Sequence, residues 1–484
     1  KEFFNNIKPL RENYATADKV YGIDGSITSY IKDNNGDGII NGADKVWVFF
    51  GLRRGGTSYY ALDIRNPSVP SKLWHIDATS TGFSELGQSW SQPKLGYSKL
   101  NINGTGNSAV AAPVLFFGGG YDAAKDSVNP GVADGKGRAI YMVDAATGSL
   151  KWSLAPQGAD STFIGTDSIP SSIGILDSDG DGLIDRLYTG DTGGNVWRVD
   201  MPSATPNDSN APWTVFKLAE FGGTSNSADL RFFNEPSIVR TFISETIETE
   251  VTDEDGETTK IISHQEKPYD AVLIGSGDRS NPIGIDTNDR FFMIKDEHIK
   301  SQSFYSAKAP KAPTVLLKTD LYDYTNDPFA KTLTTQERQT LEIAVSDKSG
   351  WYIDLEGSGE KSTADAIVIN GVVYFTTFIP PNLDTNVIHC IQPNGTGLLY
   401  AVDLALGTAI YNWNEATPEA APVRKVVINE QFLGAPTLIV VPNDDGDPET
   451  NDDAIGNIIV GRKIIPVGFT LQTMRTYLYI SEEQ

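Results

Sequence analysis

Short runs of apolar and β-branched residues recur along the whole chain, some alternating with polar residues and some unbroken, each closed by Gly, Asn, Asp or Pro. Lys45 to Phe50, Ala139 to Val143, Ala271 to Ile274, Ile367 to Ile369 and Leu438 to Val441 are of this kind, and each reads as a strand. Asn370-Gly371 stands between Ala366-Ile-Val-Ile369 and Val372-Val-Tyr-Phe375. Both turn residues tolerate positive φ, so this segment predicts a two-residue hairpin. Thr246 to Ser263 alternates Thr, Ile, Glu and Val around Asp255-Gly256, which predicts a projecting acidic hairpin inserted at about residues 243–266. Thr334 with Glu337 forms a capping-box pattern, so Thr334 to Val345 reads as a short helix.

A degenerate repeat overlies these runs: an aromatic, apolar residues, Asp, a turn, and then often Trp. Its copies are Tyr60-Ala-Leu-Asp63 with Leu73-Trp74, Tyr141-Met-Val-Asp144 with Thr147-Gly148 and Lys151-Trp152, Val196-Trp-Arg-Val-Asp200, and Tyr400-Ala-Val-Asp403 with Gly407 and Trp413. The repeat predicts a strand, a tight turn held by the Asp, and a return strand whose Trp packs between neighbouring sheets. Radially stacked four-stranded sheets satisfy it, because each buries both faces against its neighbours. A β-sandwich array or a β-helix is the competing all-β solution. At roughly 60–70 residues per blade with insertions, the length allows about six to eight blades. The expectation is an all-β, seven-bladed β-propeller with inserted hairpins and a short helix, occupying residues 1–484 as one domain.

Composition narrows the function classes. Hydrophobic residues make up 39% of the 484 and support a large core rather than global disorder. The formal charge, 39 basic minus 63 acidic residues, is −24, and such a surface repels phosphate backbones, so nucleic acid is not an expected partner. It suits a secreted protein that holds cations, and equally one that is merely soluble. Cys390 is the one cysteine, so no intrachain disulfide is expected. His75, His264, His298 and His389 are scattered and read as structural. No apolar run reaches the roughly 18 residues of a membrane span. The start, Lys1-Glu-Phe-Phe4, lacks Met and is no signal peptide, which predicts a fragment or a processed product.

The sharpest chemistry lies in two acidic loops. Asp33, Asn35, Asp37, Asn41 and Asp44 put oxygen side chains at positions 1, 3, 5, 9 and 12 of a loop with Gly38 at position 6 and an apolar residue, Ile40, at position 8. This is the spacing of an EF-hand-type calcium loop, with the Ile39 carbonyl as a further ligand and a shorter Asp where Glu is usual. The second loop, Asp177-Ser-Asp179-Gly-Asp181-Gly-Leu183-Ile-Asp185, packs four carboxylates into nine residues. Their mutual repulsion calls for a hard divalent cation. Ca²⁺ fits better than Mg²⁺, which keeps its waters and seldom takes so many protein ligands. The expected ligands are the side chains of Asp177, Asp179, Asp181 and Asp185 with the Leu183 carbonyl; solvated acidic turns are the plainer alternative. Neither loop has helical flanks, so both read as strand–loop–strand sites at a sheet edge. A third run, Asn443 to Asp447 and on to Asp452 and Asp453, lacks the clean spacing, and Asp253 and Asp255 are weaker still.

No G-x-S-x-G, H-E-x-x-H or Walker-type pattern occurs. Gly118 to Gly120 has no helix after it to receive a phosphate, and Ser276 has no visible histidine partner; both read as backbone turns. Arg53-Arg54 reads as packing rather than as a carboxylate receptor. The chain is therefore not expected to be an enzyme.

Several ordered segments together resemble one family. They are Arg53-Arg-Gly-Gly-Thr-Ser-Tyr-Tyr-Ala-Leu-Asp63 leading to Leu73-Trp74, Asp177 to Asp185 running on to Tyr188-Thr-Gly-Asp191-Thr-Gly-Gly-Asn195-Val-Trp-Arg-Val-Asp200, Gly350-Trp-Tyr-Ile-Asp354, Val373-Tyr-Phe-Thr-Thr-Phe378, and Gly397-Leu-Leu-Tyr-Ala-Val-Asp403. The chain is similar over about residues 8–475 to the C-terminal propeller of the PilC/PilY type IV pilus-associated adhesin and biogenesis proteins. The resemblance implies a modified, quinoprotein-like propeller of seven blades at a Gram-negative cell surface, at the pilus tip or outer membrane. It implies calcium-dependent support of pilus extension against retraction, twitching and adhesion, with minor pilins or the assembly machinery as partners. Host surface receptors would be met through an N-terminal region absent here. The family's calcium loop falls on Asp177, Asp179, Asp181 and Asp185, whereas Asp33 to Asp44 has no assigned counterpart. A quinoprotein-type dehydrogenase and a standalone adhesin are the competing readings; one cysteine cannot form the vicinal disulfide of many such dehydrogenases.

Overall fold

The computed structural model describes residues 6–12, 20–104, 109–252, 258–304, 311–329, 333–381, 394–413, 422–429, 431–442 and 454–471. It separates into two compact units, Lys1–Ser362 and Thr363–Gln484.

The first unit holds four sheets among the described residues, each built on four antiparallel strands in chain order. The first sheet runs Ile27–Lys32, Lys45–Gly51, Tyr59–Asp63 and Ser71–Ile76. The second runs Lys94–Asn103, Val110–Gly118, Ile140–Asp144 and Leu150–Ala155. The third comprises Gly174–Leu176, Arg186–Gly190, Asn195–Asp200 and Thr214–Glu220, and the fourth Ser237–Thr252, Thr258–Gly275, Arg290–Asp296 and Gly350–Asp354. Two-residue strands add in parallel at Ser161–Thr162, Leu316–Leu317 and Tyr322–Asp323.

Side-chain alternation explains why these sheets stack. In Val114-Leu-Phe-Phe117 every residue is buried. Leu115 and Phe117 join Tyr30, Trp47, Phe49 and Trp74 of the first sheet, with Tyr141 and Val143. Val114 and Phe116, with Met142 and Trp152, face Leu187, Trp197 and Val199 of the third sheet. The third sheet's other face places Tyr188, Val196 and Phe216 against Val272, Ile274, Phe292 and Tyr352 of the fourth. A sheet covered on both faces needs apolar residues at consecutive positions, hence the unbroken runs.

The repeat's Trp residues do what the pattern predicts. Trp74 donates its Nε1–H to the Ala145 carbonyl at 2.9 Å, and Trp152 and Trp197 fill the core between the second and third sheets. Turn-holding by the Asp is seen at three copies. Asp63 accepts from the Arg65 N–H, Asp144 from Ala146 and Thr147, and Asp403 from Ala405 and Leu406. Asp200 departs from the pattern. It is buried and takes a bidentate contact from Arg198 at 2.6 and 2.8 Å, because a Tyr and a second acid, Asp296, share the space around that guanidinium.

In the second unit Ile367–Ile369, Val372–Ile379, Thr396–Asp403 and Lys425–Asn429 pair in chain order, and Thr437–Pro442, Ala454–Val460 and Lys463–Leu471 form another sheet. Asn370 and Gly371 turn the first hairpin with φ of 50° and 77°, and Ile369 faces Val372.

The helix Thr335–Ser346 is N-capped by Thr334 with the reciprocal Glu337 contact, as its capping box requires. The acidic hairpin is present as a ribbon in which Ser237–Thr252 pairs throughout with Thr258–Gly275. The next strand pairs with Asp270 to Gly275 only, so the distal part of the ribbon is two-stranded. Residues 253–257, His389, Cys390 and the run at 443–453 lie outside the described residues. Arg53 and Arg54 pack on Trp90, 4.5 and 5.4 Å from its ring centre, in line with the packing reading.

Candidate metal centre

Both acidic loops join antiparallel strands, Ile27–Lys32 to Lys45–Gly51 and Gly174–Leu176 to Arg186–Gly190. Neither is flanked by helices. In the second loop the carboxylates of Asp177, Asp179 and Asp181 each offer an oxygen within 4.8 Å of the others. The backbone sets this convergence. Asp177 accepts from the N–H of Gly180 at 2.7 Å through one oxygen and from that of Gly182 at 2.7 Å through the other. Asp181 accepts from the Leu183 N–H at 2.8 Å. Gly180 and Gly182 stand at φ of 79° and 83°, a region that costs glycine nothing and other residues a great deal.

The first loop repeats this geometry. Asp33 accepts from Gly36 and Gly38, each at 2.7 Å, and Asp37 from the Ile39 N–H at 2.8 Å. Gly36 and Gly38 stand at φ of 71° and 75°. Asn35 sits where the second loop has Asp179, and its amide donates to Asp37 at 2.8 Å. The Asn41 amide donates to the Ile39 carbonyl at 3.1 Å.

The closing aspartates play a matched part in both. Asp185 is buried and accepts from the Ser178 N–H at 2.9 Å and the Ser178 hydroxyl at 2.6 Å. Asp44, also buried, accepts from the N–H groups of Asn34 and Asn41, each at 2.8 Å. Each closing carboxylate therefore ties itself to the second residue of its own loop, and Asp185 stands outside the convergent trio of Asp177, Asp179 and Asp181. Burial pushes the Asp185 carboxyl above its ordinary value despite the Ser178 contacts, whereas the N–H groups of Asn34 and Asn41 hold Asp44 below it. Leu183, whose carbonyl the spacing proposes as a ligand, follows directly on the two positive-φ glycines.

Sequence reading missed the groups that anchor the second loop from a distance. Arg240, on the ribbon strand, donates to the Ser178 carbonyl at 3.0 Å, to the Ile299 carbonyl at 2.7 Å and to Asp270 at 2.9 Å. Ser301 donates its N–H to the Ser178 hydroxyl at 3.2 Å and its own hydroxyl to the Asp185 carbonyl at 2.9 Å. Lys99 lies 3.5 Å from Asp181. Behind them Arg186 pairs with Asp270 at 2.5 Å and Arg198 with Asp296 at 2.6 Å, all four side chains buried. No local pattern announces partners this far apart in sequence.

The donor set suits a hard cation. It is all oxygen and rich in carboxylate, and the N–H groups of the turn already fix the carboxylate rotamers. Stacked antiparallel sheets with EF-hand-like loops between their strands define a β-propeller-class protein with candidate calcium loops. Comparison with known proteins sharpens this: residues 2–234 match the PilY1 beta-propeller domain.

It is 25% identical over 398 residues to a type IV pilus biogenesis factor PilY1 homolog of Xylella fastidiosa, covering 78% of this chain and 23% of the relative. It is 24% identical over 457 residues to type IV pilus biogenesis factor PilY1 of Pseudomonas aeruginosa strain PAO1, covering 85% of this chain and 34% of the relative. The chain thus spans only 23% to 34% of the length of these proteins. The crystal structure of the Pseudomonas aeruginosa PilY1 C-terminal domain is similar with a TM-score of 0.57 at 18% identity, covering 92% of this chain and 84% of that one. At that identity the likeness speaks to the fold. No helix among the described residues is long and apolar enough to cross a membrane.

Proposed function

We propose that this chain is the calcium-binding propeller module of a type IV pilus biogenesis factor. It would act at the cell surface or pilus tip of a Gram-negative bacterium, supporting pilus extension against retraction, twitching and adhesion. The convergence of Asp177, Asp179 and Asp181 within 4.8 Å, on a chain whose relatives are pilus biogenesis factors, carries the reading. In it the four sheets of the first unit are four blades of a seven-bladed, quinoprotein-like ring, and minor pilins or the assembly machinery dock on the rigid surface this provides.

Asp177, Asp179 and Asp181 hold the ion with the Leu183 carbonyl, and Asp185 closes the loop or joins the ligands once the ion arrives. Asp33, Asn35, Asp37, the Ile39 carbonyl, Asn41 and Asp44 form a second site with three carboxylates against the four of Asp177 to Asp185, so its affinity is lower. With the ion removed, like charges in the second loop repel. Arg240 and Ser301 would carry that strain to the ribbon and to the segment after Asp296, which is how calcium would regulate a docking surface.

Calorimetric titration of calcium into chelator-treated protein tests the reading. Saturable binding is expected with Kd on the order of 10⁻⁴ to 10⁻³ M, as in extracellular modules. Asp179→Ala should weaken the tighter site at least tenfold while leaving the fold intact. Absence of saturable heat in the wild type sinks the metal assignment. Normal twitching by a strain carrying the Asp179→Ala protein with a demonstrably empty site would sink the regulatory role alone.

A further inference from the structure

A second feature of the first unit is unrelated to the acidic loops. A cleft of about 390 Å³ opens between connections that leave three different sheets, within the range of roughly 300–1,000 Å³ typical of small-molecule sites. Asp126 comes from the turn Ala123–Ser127 after a strand of the second sheet. Asn226 and Asp229 lie between the third and fourth sheets, and Asp278, Asn281 and Asp286 between Thr258–Gly275 and Arg290–Asp296. Unlike most ligand pockets, its wall is polar and carries no aromatic side chain.

The centre of the cleft is built from buried charge. Arg231 is clamped between Asp229, at 2.7 Å, and Asp278, at 3.0 Å. Tyr121 and Ser280 donate to the same Asp126 oxygen at 2.6 and 2.9 Å. Lys361 lines the cleft and is 1% exposed, yet no carboxylate among the described residues approaches its ammonium within ion-pair distance. Its Nζ donates to the carbonyls of Gly284 at 2.6 Å and Gly359 at 2.9 Å. An ammonium has three N–H groups, so one is left without an acceptor among the described residues. A buried donor left unmade is costly, and water or a ligand must satisfy it.

The free groups around it alternate in kind. Asp286 is exposed and its carboxylate accepts no hydrogen bond from a described residue. Asp229 and Asp126 each use one oxygen and leave the other. The Asn226 and Asn281 amides add donors and acceptors. Four Asp against one Arg and one Lys give the wall a net negative charge, which disfavours anions. The polar lining disfavours apolar ligands. A hydroxyl both donates and accepts, so adjacent hydroxyls can donate to a carboxylate while accepting from an amide or an ammonium, and the contacts to the carboxylate and the ammonium are charge-assisted.

We propose that this cleft binds a hydroxyl-rich ligand, a monosaccharide unit of a glycan, with Lys361 and Asp286 as the paired donor and acceptor for neighbouring hydroxyls. The site does not depend on the calcium assignment.

Saturation-transfer NMR on the full chain tests it, with the methyl glycosides of glucose, galactose, mannose and N-acetylglucosamine as probes and chelator present. Transfer to the ring protons of at least one glycoside is expected. It should fall to background in Asp286→Ala and in Asn281→Ala, whose positions are exposed so that the variants fold, and in Lys361→Met. No transfer from any of the four overturns the proposal. So does transfer that persists in both Asp286→Ala and Asn281→Ala. Transfer that appears only when calcium is restored, and survives Asp286→Ala, locates binding at the acidic loops and overturns it too.

Discussion

Single carboxylates in this protein take opposite characters from their surroundings. Asp44 is held low by two backbone N–H groups near the surface, while Asp185, with comparable hydrogen bonds, lies deeper and beside Asp179, so desolvation first and like charge second push it up. Asp191 is the extreme case. It is fully buried and accepts from the N–H groups of Gly193 and Asn195, the Asn195 amide and the Trp197 indole N–H at 2.7 Å. Burial, reinforced by nearby Asp167, still pushes it up to about 6 from the usual 3.8. The folded state therefore binds a proton between about pH 4 and 6 that the unfolded chain does not. This residue's contribution to stability rises as pH falls from about 6 toward 4, and above 6 it is a penalty on the order of 3 kcal/mol. Urea unfolding of the wild type and Asp191→Asn across that window should show the wild type gaining on the variant as pH falls. Stability curves that stay parallel from pH 7 to pH 4 would rule out the raised carboxyl.

At the level of elements, the strands and the loops were legible for different reasons. Val114 to Phe117 and Ile140 to Val143 are apolar at every position because neighbouring sheets cover both faces, so they stand out without alternation. Asn370-Gly371 and the Thr334–Glu337 box are local signals that the chain obeys locally. The acidic loops are legible because one turn brings their oxygens together at fixed spacing. What stayed hidden acts over distance. Arg240 reaches Ser178 across 62 residues and Ser301 reaches it across 123. The two-residue parallel strands have no length in which to show a pattern. Asp200 looked like another turn residue because its partner's second acid, Asp296, lies far along the chain. The ribbon was readable as an insertion, and its pairing makes that testable. Beyond Asp270 its strands meet no third strand. Excising residues 243–266 and closing the gap with Asn-Gly should leave the melting temperature within a few degrees of the wild type, since a lone two-stranded ribbon adds little stability. A drop of ten degrees or more in a thermal melt would mean that the distal ribbon supports the sheet.

For the whole molecule, a charge of −24 sets the background against which any bound cation acts. Self-repulsion of that size destabilises the compact state, and monovalent salt relieves it through screening, with a Debye length of about 8 Å at physiological ionic strength. The melting temperature is therefore expected to rise with sodium chloride and to level off. Calcium screens as well, but a site that binds only the folded state adds RT ln(1 + [Ca²⁺]/Kd), about 2.7 kcal/mol at a hundredfold excess over Kd. Melts at matched ionic strength separate the two effects. Calcium should raise the midpoint above the sodium chloride curve. Asp179→Ala should lose most of that excess yet keep its response to sodium chloride, because it removes one charge of 63 acidic residues but one of three convergent ligands. If the calcium and sodium curves coincide for the wild type, the acidic surface responds to ionic strength alone, and clustered carboxylates at Asp177 to Asp181 carry no ion under those conditions.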